Sequence, residues 1–338
     1  MKSQFMCRAV GRTCIFFSTV FFVGLNGCAA QGPPTSQRSE FWGFTGPWEV
    51  SSTASVRAHG GQLDAVINGW ITIDSSSALP VIPSPYPDTV RPLSGTPRRM
   101  AIVTSWHGEG FHTAPIRRLG ADPALLAKAA GSIANYARSM RYSGLVLDFE
   151  ALEATDLPAL LKVTRAIADS AHARGVQTIA LAIPASDAAY PVRPLLGSVD
   201  ALIVMLYDQH WAESEPGPIA EPSWVKSMLA RRVAEAGGDR LIAALPAYGY
   251  RWRKGSPSAE SVGYADAVQM ASAAGVPLTR DEASRTLRSR AANGDEIWVA
   301  DATLLGALIE QSRALGVNRF AIWRLGQEDP AIWRTSIR

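Results

Sequence analysis

The chain has 338 residues, 47% of them hydrophobic and 19% charged, which is enough for one large domain or two modest ones. Lysine and arginine number 33 against 30 aspartates and glutamates. The three basic residues of the first 27 positions account for that excess, so the remainder is formally neutral and points to no nucleic-acid partner. Cysteine occurs only as Cys7, Cys14 and Cys28, which excludes a disulfide framework in a chain that begins at Cys28.

At the N-terminus, Lys2, Arg8 and Arg12 precede an apolar run from Cys14 to Val23, followed by Leu25-Asn26-Gly27-Cys28. This is the layout of a secretory signal, and its ending resembles a bacterial lipobox, with Cys28 as the residue to be acylated. The apolar run falls short of the ~20 residues a membrane span requires, which disfavours an uncleaved anchor. The expectation is a signal peptide over 1–27 and an exported protein held to a membrane through a lipid anchor. Ala29 after the cysteine resembles outer-membrane sorting, to the periplasmic face, if the source is Gram-negative. Residues 28–40, with Pro33 and Pro34 among polar neighbours, read as a tether. The folded part is expected over 41–338.

From Phe41 onward, short apolar runs alternate with helical stretches, the pattern of βα units around a parallel sheet. Strands are predicted from Phe41 to Thr45, Ala65 to Trp70, Met100 to Ser105, Gly144 to Phe149, Thr178 to Ile183, Ala201 to Tyr207, Leu241 to Pro246 and Phe320 to Trp323. Eight strands are the count of a closed α/β barrel, the (β/α)8 or TIM barrel. Helices are predicted from Asp122 to Met140, Leu157 to Arg174, Ser223 to Ala236 and Ala302 to Leu315, with Asp122 and Asp301 as N-caps. A doubly wound nucleotide-binding sheet is weakened because no Gly-x-Gly-x-x-Gly follows the first strand. Between the seventh strand and the last helix, residues 251–301 form a small insertion with a predicted helix from Tyr264 to Ala274 and a strand from Glu296 to Val299.

Within the fourth strand, Tyr-Ser-Gly-Leu-Val-Leu-Asp-Phe-Glu (142–150) is an apolar run ending in two acids. Side chains two apart on a strand share a face, so Asp148 and Glu150 point the same way. Trp48, Trp70, Trp106, Trp211, Trp252 and Trp323 fall at or just beyond predicted strand ends, the rim where a barrel builds its site. As a set they suit a groove that stacks on the apolar faces of sugar rings. His107, His112 and His210 raise a metal-dependent alternative, but no His-x-His or His-Glu-x-x-His pattern occurs, and no metal or cofactor is expected.

Four stretches together resemble glycoside hydrolase family 18, the chitinase group, most closely its compact members similar to spore-cortex and peptidoglycan-associated glycosidases. Gly144 to Glu150 resembles the fourth-strand signature D-x-x-D-x-D-x-E, Met205-Leu206-Tyr207-Asp208 the M-x-Y-D motif, and Pro246-Ala247-Tyr248-Gly249 the P-x-Y-G motif. Trp323 matches the tryptophan that floors the sugar site. The resemblance spans Phe41 to Trp333. It implies hydrolysis of β-linked N-acetylhexosamine glycans, with the substrate's own acetamido group as nucleophile. Separately, the protein is expected to be a monomer.

On that resemblance Glu150 donates the proton, Asp148 orients the acetamido N–H and keeps its neighbour protonated, and Tyr207 hydrogen-bonds the acetamido oxygen. Asp208, Met205, Tyr248, Trp323, Trp48 and Trp106 are the expected substrate contacts. Two acids from one strand lie on one side of the sugar, an arrangement unsuited to a protein nucleophile facing an acid. Ser143 and Val146 stand where the signature has its first two aspartates. Valine offers no hydrogen bond, so a catalytically weak or inactive glycan-binding protein of the same fold remains the alternative.

Overall fold

The structure, a computed structural model, describes residues 38–337 apart from 47, 83–96, 109 and 336. The expected signal peptide over 1–27, Cys28 and most of the expected tether over 28–40 lie outside the described residues. Eight parallel strands close into a barrel: β1 (Glu40–Phe44), β2 (Ala65–Ile73), β3 (Arg98–Thr104), β4 (Gly144–Asp148), β5 (Thr178–Pro184), β6 (Ala201–Met205), β7 (Leu241–Pro246) and β8 (Arg319–Trp323). Each pairs with its sequence neighbour, and β1 closes the ring by pairing with β8 (Trp42 beside Ala321) and with β2 (Trp42 beside Ala65). All eight strands coincide with predicted runs. The second runs three residues further than read, to Ile73, and the sixth stops at Met205, two residues short of Tyr207.

Around the ring lie α1 (Val50–His59), α2 (Ala114–Ala121), α3 (Pro123–Ser139), α4 (Leu157–His172), α5 (Val192–Leu196), α6 (Pro222–Ala236), α7 (Tyr264–Ala273), α8 (Ala302–Ala314) and α9 (Ile332–Thr335). Asp122 caps α3 by accepting from the backbone N–H groups of Ala124 and Leu125, both at 3.0 Å, and Asp301 caps α8 by accepting from that of Leu304. These side chains satisfy helix-end donors that otherwise have no partner.

Strand alternation divides the apolar residues into two cores. Leu145, Leu147 and Phe149 face outward against the helices, in the core that also holds Ile133, Leu160 and Ile167. Val146 faces inward and packs with Trp42, Met100, Ile102, Ala180, Ala182 and Ala244. Bulk supplied by β1 and β3 is met by alanines on β5, β7 and β8, so the barrel is filled rather than hollow. The register of β2 shifts between Ile67 and Gly69. A Cβ on Gly69 would stand 2.6 Å from Ala101 and from the Tyr142 ring, so only glycine fits that irregularity.

The insertion forms its own five-stranded antiparallel sheet, in the order Glu260–Val262, Gly249–Trp252, Glu296–Val299, Leu287–Arg290, Thr279–Arg280. Val262, Ala267, Ala271, Ile297 and Val299 give it a small core against α7. Arg280 ties the sheet to α8 by a forked ion pair with Asp301, at 2.9 and 2.6 Å.

Candidate active site

Inward-facing positions continue past the strand ends, so β4 delivers Asp148 and then Glu150 to the mouth of the barrel above Val146. Thr104 is the register partner of Asp148 on β3, and its hydroxyl donates to Asp148 Oδ2 at 3.0 Å. The Thr104 hydroxyl oxygen itself accepts from the Trp106 backbone N–H at 3.0 Å, which leaves its single proton for the carboxylate. Asp148 and Glu150 also share a hydrogen bond. Behind them, Tyr190 donates to the carbonyl of Phe149 at 2.8 Å and accepts from the N–H of Leu152. It thereby clamps the turn that carries Glu150, where Ala151 is held at φ +59°.

From β6, Tyr207 presents its ring to Trp323, nearly parallel at 18° with centroids 6.5 Å apart. Asp208 sits in the left-handed region at φ +57°, and Tyr248 and Tyr250 both donate their hydroxyls to its Oδ1, the latter at 3.0 Å. Strain at a non-glycine residue persists only where surroundings hold it, and here two phenols do so.

These groups open onto a cleft of about 930 Å³ lined by Asp148, Glu150, Met205, Tyr207, Asp208 and Trp323, with Trp48, Trp70, Trp106 and Trp224 among its walls. Trp48 is half exposed and packs edge-on to Trp70 with centroids 4.9 Å apart. The Arg324 guanidinium lies 5.8 Å from the Trp48 ring centroid and is paired with Glu49. A cis peptide joins Trp323 to Arg324.

Burial pushes the Glu150 carboxyl well above the usual carboxylate range, and the neighbouring charges of Asp148 and Asp208 push it the same way. Asp148 is raised by its own burial, against which the hydrogen bonds from Thr104 and Glu150 favour its charged form. The pair therefore holds a proton on Glu150 that an exposed glutamate would release, because two adjacent carboxylates in low dielectric resist ionising together. Burial also raises Asp208, partly offset by its two tyrosine donors. Tyr207 is raised well above 10, first by burial and then by the Glu150 charge, so it stays a neutral hydrogen-bond donor.

Of the expected site residues, Glu150, Asp148, Tyr207, Asp208, Met205, Trp323, Trp48 and Trp106 meet in this one cleft. Tyr248 does not line it: it is buried behind Asp208 and reaches the site only through that carboxylate. Trp211 is exposed on the loop after β6, and Trp252 is buried in the insertion sheet with its indole N–H on the Ser214 carbonyl. Three contributors escaped the sequence reading. Thr104 and Tyr190 act across chain separations that no local pattern reports, whereas Trp224, in the first turn of α6, carried the signal of an aromatic just after a βα loop. Among the described residues no group of three or more histidines, cysteines, aspartates or glutamates is arranged to hold a metal ion.

No family model matches the chain. A putative sporulation-specific glycosylase, YdhD, of Bacillus subtilis (strain 168) is 28% identical over 159 residues, covering 45% of this chain and 38% of that protein. The match thus spans well under half of that relative's length. Among solved structures, the chitinase from Chromobacterium violaceum ATCC 12472 superposes with a TM-score of 0.76 at 21% identity, over 88% of this chain and 97% of that one. The Bacillus cereus spore cortex-lytic enzyme SleL gives 0.75 at 19% identity, over 89% of this chain and 74% of that one. A GH18 chitinase from Cycas revoluta, solved in complex with (GlcNAc)3, gives 0.74 at 16% identity, over 87% and 97%. In fold, this chain is a closed (β/α)8 barrel similar to those of these chitinases and of the cortex-lytic enzyme.

Proposed function

We propose that the protein is a glycosidase that cleaves β-linked N-acetylhexosamine glycans with retention, using the acetamido group of the substrate as nucleophile. What carries the reading is the Glu150–Asp148 pair: a protonated acid hydrogen-bonded to its neighbour at the mouth of a tryptophan-lined cleft. Glu150 gives its proton to the leaving glycosidic oxygen. Asp148, relieved of that hydrogen bond, accepts from the acetamido N–H, and the acetamido oxygen closes on the anomeric carbon under the Tyr207 hydroxyl. Water activated by the Glu150 carboxylate then opens the oxazolinium ring from the face the leaving group vacated, restoring the original anomer. Similarity to proteins described as a glycosylase, chitinases and a cortex-lytic enzyme supports this class of reaction.

Proton NMR of the nascent product tests the mechanism. The β-anomer is expected first, and an initial α-anomer would overturn it. Glu150→Gln should lose at least about 10²-fold in kcat while still binding oligosaccharide. A second reading, a glycan-binding protein without catalysis, draws on the wholly buried, apolar Val146 beneath Asp148. Absence of turnover on any acetylated glycan, with binding intact, would favour it. For location, the proposal is envelope anchoring through Cys28. Cys28→Ala should move the protein to the aqueous phase of a detergent partition, and unchanged partitioning would refute it.

A further inference from the structure

The acidic groups on the cleft wall have little basic charge beside them. Three carboxylates, Asp148, Glu150 and Asp208, line it, and no lysine or arginine does so among the described residues; His107 is the single basic side chain there. The hydrogen bonds of Asp148 and Asp208 come from neutral groups, Thr104, Tyr248 and Tyr250, and from the protonated Glu150. Arg324, on the loop after β8, turns its charge onto Glu49. The Glu213 carboxylate also acts on Asp208, pushing its carboxyl upward. Five tryptophans supply much of the remaining wall, and a ring face presented to the ligand attracts a cation through its quadrupole.

Building on the glycosidase reading above, we propose that this cleft selects its glycan by charge: it takes neutral or amine-bearing N-acetylhexosamine chains and rejects chains whose sugars carry free carboxylates. The sugar whose acetamido group reacts stays acetylated, and ammonium groups are accepted on its neighbours. A ligand carboxylate held roughly 7 Å from one of these wall charges, at an effective dielectric of about 20, loses on the order of tenfold in affinity or more.

The test uses full-length Glu150→Gln protein, in which the amide replaces an acid already held neutral, and oligosaccharides of one length and linkage. One set is fully N-acetylated, a second keeps free amines at some units, a third has those amines succinylated, and a fourth has them butyrylated as a neutral control for bulk. Calorimetric titration at low salt should rank the amine-bearing set at or above the acetylated one, and the succinylated set at least about tenfold weaker than the butyrylated one. Raising the salt should narrow that gap, and Asp208→Asn should narrow it further. Succinylated and butyrylated ligands binding within twofold of each other would overturn the charge selection. If the wild-type protein still hydrolysed the acetylated oligomer, the glycosidase reading would stand without it; absence of binding to all four sets would overturn both.

Discussion

Thr104→Val removes one hydroxyl from a wholly buried side chain and replaces it with a methyl of nearly the same shape. The bond it deletes is the 3.0 Å donation to Asp148 Oδ2, and a hydrogen bond to a charged group is worth about 1.5–3 kcal/mol. At about 1.4 kcal/mol per pKa unit, the Asp148 carboxyl, already raised by burial, should rise by a further 1 to 2 units or so. The bond favours the ionised form, so its loss favours the protonated one. If turnover requires ionised Asp148, the acid limb of kcat/KM against pH therefore moves upward by about that amount. With the parent carboxyl near 6, the rate at pH 6 should fall by roughly fivefold to fiftyfold, recovering towards pH 8. Thr104→Ser should retain the parental profile, and a melting curve identifies any global loss of fold. The assay is initial-rate hydrolysis of an N-acetylated oligosaccharide from pH 4 to 9. An unmoved acid limb in a folded Thr104→Val protein would show that the ionisation of Asp148 does not depend on Thr104.

Glu150 has a folded pKa raised above its unfolded value, so its contribution to stability is complete below about pH 4 and is lost as pH rises through the folded value. Glu150→Gln escapes that loss and should melt higher than the parent at pH 8, with the gap closing towards pH 4; a pH-independent gap would contradict the assigned protonation. Trp323→Ala should weaken oligosaccharide binding by about 2 kcal/mol, as other aromatic anchors do. Trp333, buried against His59 at 4.6 Å and donating to Glu328, should instead cost about 3–5 kcal/mol of stability on truncation and leave affinity unchanged. Equal affinity losses in calorimetric titration would contradict the placement of Trp323 on the cleft. Arg324→Ala frees Trp48 from its guanidinium and from the Glu49 pair; KM should rise several-fold with kcat nearly constant, and an unchanged KM would refute a positioning role.

The barrel and the acid pair were legible in the sequence because both follow from local periodicity. Leu145, Val146 and Leu147 form a run buried on both faces, which marks a parallel strand, and the two-residue period puts Asp148 and Glu150 on the side opposite Phe149 without reference to any other part of the chain. Asp122 and Asp301 announced their helices for the same reason: a cap acts on N–H groups two or three residues away. The insertion was legible only in part. Strands such as Thr279–Arg280 and Leu287–Arg290 are too short and too charged to show alternation, and they exist because partners across the sheet complete their hydrogen bonds.

Only the tertiary structure decided what surrounds the pair. Asp148 takes its donor from Thr104, 44 positions away, because barrel closure sets β3 beside β4 in one register. The left-handed turn at Asp208 is held by Tyr248 and Tyr250, some forty residues later, and Tyr248 therefore stands behind the cleft rather than in it. Which tryptophans face the ligand was settled the same way. Trp224 enters the cleft while Trp252 is drawn into the insertion sheet, since an indole's direction depends on the loop that carries it and on which surface the folded chain leaves uncovered. The absence of lysine and arginine from the described cleft wall has the same origin. A neutral composition says nothing of where its charges go, and the fold turns Arg324 onto Glu49 while leaving Asp148, Glu150 and Asp208 facing the ligand's path.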